Sequence, residues 1–281
     1  MGFNVLLCKE AIDHELDQFI SNLDTPLKPM IKDALQGGQR LRPLLMLAAL
    51  HDLATLKGEK KSEEAVRNAC PLALPLELIH NAALILDDLP CMDNAKSRRN
   101  QQPLHKKYGQ MEAILSAFSL VGLSMEQITK LRLDSELKEK CVSILASAIG
   151  PEQMSAGQCL DLSVDTQKLT LSDVEGIYYQ KTAILFEASI LFACHYQKAD
   201  QKLTKKLSAW GRRFGFLYQL RDDDIDQKKE IDGINVHRLF KKKGIEEIRN
   251  KEKNLLISFI ENEKINSNIY FPSLSYFITL L

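Results

Sequence analysis

The chain lacks most of the short signals that announce a metal or a cofactor. Its 6 cysteines, Cys8, Cys70, Cys91, Cys141, Cys159 and Cys194, form no CxxC pair, which argues against a structural zinc site. Several lie in apolar helical text and read as small buried hydrophobes in a reducing compartment. There is no GxGxxG and no phosphate-binding GxxxxGK[ST] loop. An excess of either charge is also missing. Lys plus Arg equals Asp plus Glu at 37 each, so no global field steers nucleic acid or an anionic membrane. No uncharged apolar run approaches the ~18 residues of a spanning helix, and MGFNVLLCKE lacks the pattern of a secretory signal or a myristoylation site. Strand-period alternation, fixed-period repeats and Pro/Gly/Ser-rich linkers are absent as well. These absences lead to the expectation of a cytoplasmic protein with no nucleic-acid partner and no stable membrane insertion. Residues 1–281 should form a single all-α domain.

What is present is helical periodicity over a chain that is 45% hydrophobic. Residues 8–20 place Ile12, Leu16, Phe19 and Ile20 on one face of a first helix. Leu41–Leu53 reads as a strongly apolar helix, and a further helix is expected around 62–70. Pro71 and Pro75 are read as the start of a separate buried helix running to about Asp88. Residues 89–108 look irregular. Helices are then expected over Met111–Thr129, 134–149, 151–162, a long apolar Leu171–Tyr196 with Gly176 near its start, Leu203–Asp226 and 244–262, with the tail from Ile265 to Leu281 packing back on the body. Several are apolar almost all round, which places them at the centre of a large bundle.

Two aspartate clusters stand out. The first holds Asp87, Asp88 and Asp93, and the second holds Asp222, Asp223, Asp224 and Asp226. Crowded carboxylates repel one another, and burying them is costly without a cation. At a helix C-terminus they also oppose the macrodipole. Asp222 and Asp226 share a helix face by their spacing. A solvated helix end would explain either cluster alone, but each follows directly on a core helix. Two such patches facing each other suit a hard cation such as Mg2+, which keeps waters and pairs carboxylates with substrate phosphates. Candidate phosphate clamps accompany them. Gly37-Gly38-Gln39-Arg40-Leu41-Arg42 places two arginines after a glycine pair, Arg98-Arg99 follow the first cluster, and His105, Lys106 and Lys107 come next. Lys181-Thr182 interrupt an apolar helix, and Gln219 sits one turn before the second cluster. Arginine's planar fork matches diphosphate oxygens. His80 reads either as a ligand or as a satisfied core histidine.

These residues carry a resemblance. GGQRLRP resembles the GGKRxRP motif of the trans-isoprenyl diphosphate synthases, the polyprenyl synthetase family. LELIHNAALILDDLPCMDNAKSRRN resembles the family's first aspartate-rich motif, and GQCLDL, KT and YQLRDDDID resemble the middle and second aspartate-rich motifs. The resemblance covers roughly residues 30–240 and is strongest to bacterial and plastid geranylgeranyl and farnesyl diphosphate synthases. It implies an all-α bundle around a cavity, a homodimer, three Mg2+ per site, and head-to-tail condensation of isopentenyl diphosphate with an allylic diphosphate. It further implies that Asp87, Asp88, Asp93, Asp222, Asp223 and Asp226 serve Mg2+ on the allylic diphosphate. Arg98, Lys181, Thr182 and Gln219 would then contact that diphosphate, while Arg42, His80 and Arg99 would hold isopentenyl diphosphate. Gln39 stands where the family has lysine, and a later allylic-side lysine has only Lys228 or Lys229 as counterparts. Ala82 and Ala83 lie about one turn before the first aspartates and leave the chain-length cavity open, which favours geranylgeranyl diphosphate. Phe118 or Met111 would supply a floor. The alternatives are a farnesyl or longer product, a catalytically impaired modifying subunit of a heteromeric synthase, a class I terpene cyclase, and a structural helical protein.

Overall fold

The computed structural model describes residues 3–55, 58–163, 165–226, 234–267 and 271–281. The protein is all-α, as expected. Its helices are α1 (Val5–Ser21), α2 (Lys28–Leu35), α3 (Leu41–Thr55), α4 (Glu59–Asp87), α5 (Leu104–Lys107), α6 (Gln110–Lys130), α7 (Ser135–Ile149), α8 (Met154–Ser163), α9 (Leu171–Tyr178), α10 (Ile184–Tyr196), α11 (Gln201–Asp226), α12 (Val236–Leu239), α13 (Lys242–Ser267) and α14 (Pro272–Ile278). The chain divides into two compact units. One comprises Met1–Phe3, Leu45–Arg67 and Ser143–Leu281, and the other Asn4–Leu44 and Asn68–Val142.

Two expectations need correction. Pro71 and Pro75 do not begin a new helix; both lie inside α4. Proline removes the bond to the carbonyl four residues earlier. Arg67, which carries that carbonyl for Pro71, is exposed, so water can take the missing donor's place. Burial of Leu72, Leu74, Leu76, Leu78, Ile79 and Ile85 offsets the rest of the cost. The second correction concerns Leu171–Tyr196, which is not one uninterrupted α-helix: a π turn, Tyr179–Ala183, joins α9 to α10. Among the described residues one stretch, Ser62–Asp87, is long and apolar enough to cross a membrane by length and composition. Its most apolar window is 72% buried inside the protein, as suits a core helix.

The larger unit is organised by α10, which buries Leu185, Phe186, Ile190, Phe192 and Ala193 against α11. Trp210 stacks on Phe214 with centroids 5.6 Å apart, and Phe214 meets Phe277 of α14 edge-on at 5.9 Å. The tail therefore packs back as expected. Asp52, fully buried on α3, accepts from the backbone N–H groups of Ser273 and Leu274, each at 3.0 Å. This carboxylate caps α14 at the helix end where negative charge is favoured. The smaller unit packs Ile12, Leu16 and Phe19 of α1, Ile31 and Leu35 of α2, and Ala113, Ala117, Leu120 and Ile128 of α6.

Candidate functional site

In the smaller unit, the buried face of α4 carries the chain to Asp87, where the helix ends three residues before Pro90. The returning turn satisfies the helix's last carbonyls. Asp93 N–H donates to the Asp87 carbonyl at 2.9 Å, Asn94 N–H to Leu89 at 3.0 Å and Ala95 N–H to Asp88 at 3.2 Å. This fold-back gathers Asp87, Asp88 and Asp93 into one turn. Asp87 and Asp93 are half-buried, and Asp88 is buried. Arg98 binds Asp88 Oδ1 through Nε at 2.8 Å and through its terminal nitrogen at 2.5 Å.

The same unit builds a cationic cradle. Gly37 and Gly38 have φ of +68° and +91°, and Arg40 and Arg99 have φ of +54° and +51°. Two sharp turns are thereby placed against each other. Arg99 donates to the Gln36 carbonyl at 3.1 Å, and a Cβ on Gly38 would lie 2.9 Å from the end of the Arg99 side chain, so it is chiefly the positive φ that favours glycine there. His80 sits within this charge. Burial, and then Arg42, Arg99, Arg98 and Arg40, hold its pKa well below the usual 6.5. Arg42, His80 and Arg99 are thus brought together as the sequence led us to expect.

Other candidate cations have different duties. Arg40 is only 5% exposed. It bonds Asp13 Oδ1 at 2.8 Å, Glu77 Oε1 at 2.8 Å and the Leu35 carbonyl at 2.6 Å. A buried guanidinium needs compensating acceptors, and these carboxylates supply them, so Arg40 braces the turn instead of clamping phosphate. Lys107 pairs with Asp33 and joins α5 to α2. His105 is buried, and burial lowers its pKa.

The larger unit holds the other expected residues. The π turn presents Lys181 and Thr182, and glycines clasp it. A Cβ on Gly157 of α8 would lie 2.4 Å from Lys181 N, and one on Gly215 of α11 would lie 2.5 Å from Ala183 Cα. Lys181 Nζ bonds Asp161 Oδ2 at 2.6 Å, and Asp161 Oδ1 accepts from Ile234 N–H at 3.0 Å. Thr182 Oγ1 donates to Gln219 Oε1 at 2.8 Å, and Gln219 Nε2 donates to Asp223 Oδ1 at 3.0 Å. Asp223 Oδ2 accepts from the Tyr178 hydroxyl and from Val236 N–H at 2.9 Å. Burial pushes the Asp223 carboxyl pKa up although these donors oppose the shift. Asp222 is half-buried. Asp224 is engaged by His237 and Arg249, each at 2.5 Å, on α12 and α13. The side chain of Asp226 and residues Lys228 and Lys229 lie outside the described residues.

Among the described residues no three His, Cys, Asp or Glu side chains form a group able to hold a metal alone. Mg2+ keeps several waters and takes further ligands from substrate phosphates, and it prefers oxygen donors. The donors on offer are all oxygens, in Asp87, Asp88, Asp93 and Asp222, so they fit the ion. Of the chain-length residues, Ala82 is buried and Ala83 half-buried. Phe118 does not floor an interior space as expected: it is 78% exposed, and Met111 is exposed too. The inward face of α6 carries Ala113, Ser116, Ala117 and Leu120, and Met111 and Phe118 fall on the other side of the helix. Sequence reasoning missed Asp13 and Glu77, and it missed Tyr178, Asp161 and Glu187 as partners of the functional side chains. Only Asp161 carried a signal, within GQCLDL.

Comparison with known proteins places the chain in a family. The polyprenyl synthetase family model matches residues 24–237. A farnesyl diphosphate synthase of Geobacillus stearothermophilus is 34% identical over 224 residues, covering 78% of this chain and 72% of that protein. Geranylgeranyl pyrophosphate synthase 4 of Arabidopsis thaliana is 36% identical over 231 residues, covering 80% of this chain and 59% of that protein. The crystal structure of a Helicobacter pylori geranyltransferase matches with a TM-score of 0.85 at 27% identity, covering 100% of this chain and 99% of that one. The same enzyme complexed with magnesium and isoprenyl diphosphate also matches at 0.85, with 26% identity. With its all-helical architecture and both aspartate motifs in place, the chain belongs to the polyprenyl synthetase family of prenyltransferases.

Proposed function

We propose that the protein joins isopentenyl diphosphate head-to-tail to an allylic diphosphate, releases diphosphate, and yields geranylgeranyl diphosphate. The observation that carries this reading is the cationic cradle in which Arg99 closes on the Gly37–Arg42 turn, with His80 among these arginines, its pKa held down by burial and by them. So much positive charge around one hydrogen-bonding ring suits a polyanion. It is a second anion clamp in addition to that of Lys181, and an enzyme acting on one diphosphate alone has no use for it. Arg42, His80 and Arg99 hold isopentenyl diphosphate. Arg98, Lys181, Thr182 and Gln219 hold the allylic diphosphate. Asp87, Asp88, Asp93, Asp222 and Asp226 would hold Mg2+, three ions per site, with Asp223 bracing Gln219 beside them. Bound there, Mg2+ neutralises charge developing on the leaving diphosphate. The apolar wall of α4 keeps water from the reacting carbons. Small side chains at Ala82 and Ala83 leave room for a long product.

We take residues 1–281 as one synthase domain that works as a homodimer in the cytoplasm. Met111, Ile114, Leu115 and Phe118, spaced along one exposed face of α6, support the dimer. Six free cysteines suit a reducing compartment. The test is to incubate the purified chain with isopentenyl diphosphate, Mg2+ and each of dimethylallyl, geranyl and farnesyl diphosphate, then chromatograph the products. A twenty-carbon product is expected, lost with EDTA and restored by Mg2+. No turnover with any primer, or conversion of a primer without isopentenyl diphosphate, overturns the reading.

A further inference from the structure

Glu187 lies on α10, beyond the residues assigned to substrate, and is only 4% exposed. Its carboxylate accepts from the Tyr179 hydroxyl and from the Ser208 hydroxyl. Arg212 adds two contacts at 2.9 Å, from Nε and from a terminal nitrogen, and its guanidinium carbon lies 4.8 Å from the centre of the Tyr179 ring. Tyr179 is the first residue of the π turn that presents Lys181 and Thr182.

The spacing gives this contact its meaning. In an uninterrupted α-helix, residues eight apart differ by about 80° around the axis. A π turn absorbs one extra residue, which brings the offset to about 20°. Tyr179 and Glu187 therefore share a face because the wide turn is there. On two other sides the turn is already confined, since Gly157 and Gly215 leave no room for a Cβ. The Glu187 contact closes a further side.

We propose that Glu187 is a positioning residue for the half-site that takes the allylic diphosphate. By holding Tyr179, it keeps the π turn in register and so sets the direction of Lys181 and Thr182. Relaxation of the turn to α-helical register would swing those side chains by about 100°. The identity of the ligand rests on the prenyl transfer proposed above; the geometry does not.

The experiment uses the full chain and the variants Tyr179→Phe and Glu187→Gln. Steady-state kinetics are measured with geranyl diphosphate and isopentenyl diphosphate varied in turn. Inorganic diphosphate is also titrated calorimetrically in the presence of Mg2+. For both variants the KM for geranyl diphosphate should rise about tenfold and the affinity for diphosphate should fall as much. The KM for isopentenyl diphosphate should stay within about twofold, and the melting midpoint of Tyr179→Phe should match that of the parent. The inference is overturned by unchanged constants in both variants, or by both KM values rising together with a lowered melting midpoint. A parent chain that turns over no primer sinks the proposed reaction alone, because the diphosphate titration still decides the role of Glu187.

Discussion

The two regions proposed to take diphosphate are built by opposite means. The one around the Gly37–Arg42 turn is rich in charge and made of bent backbone, with Gly37, Gly38, Arg40 and Arg99 all at positive φ. The one around the π turn has Lys181 as its cation, but each polar group is tied to the next. Lys181 leads to Asp161 and Ile234, and Thr182 leads to Gln219, Asp223 and Tyr178. Dense charge favours retention of a polyanion. A chain of fixed hydrogen bonds favours direction, and direction matters where a bond to the diphosphate must break. The comparison supports the proposed assignment, with the substrate that is merely held at the arginines and the leaving group at the π turn.

The largest effects should come from carboxylates assigned to Mg2+. Asp222→Ala in one unit and Asp88→Ala in the other should each lower kcat by about 10³-fold in a saturating assay. A loss confined to one motif would break the symmetry between them. Next comes Glu77→Ala, which strips a buried acceptor from Arg40. Urea unfolding should show a loss of about 3 kcal/mol, with the KM for isopentenyl diphosphate affected more than that for the primer. Paired glycine substitutions then sharpen the contrast. Gly157→Ala sets a Cβ against the backbone of Lys181 and should cost about 2 kcal/mol together with primer affinity. Gly38→Ala meets only the tip of a mobile arginine and should cost about 1 kcal/mol. The smallest effect concerns pH. Unfolded His80 takes up a proton near pH 6.5, whereas the folded ring, depressed by burial and arginines, does not until well below that. The unfolded state therefore binds more protons in that interval, and stability should fall as pH drops below about 6.5, by at most about 1.4 kcal/mol per unit. His80→Gln should flatten that slope in unfolding titrations.

Much of this was legible in residue type and spacing. The aspartates, the arginine pairs and the helical class all follow from pattern, because charge and periodicity are written directly in the chain. Other features depend on what surrounds a residue. Arg40 and Arg42 look alike in GGQRLRP, yet Arg40 is committed to Asp13 and Glu77, partners far away in sequence. Pro71 and Pro75 signal a break by local cost, but burial along α4 outweighs it. The π turn has no compositional mark, since a five-residue turn uses the same side chains as a four-residue one. On α6 hydrophobicity alone misleads at two positions: Met111 and Phe118 are exposed, while Ala113 and Ala117 are buried on the face that also carries Leu120 and Ile128.

The cap that Asp52 places on α14 links positions 221 and 222 residues apart. Closing so long a loop costs entropy that only a nearly complete core can repay. The tail should therefore dock late in folding and detach early. Deuterium uptake at the Ser273 and Leu274 amides would then follow the completion of the larger unit, with the chain's last helix serving as its own clock.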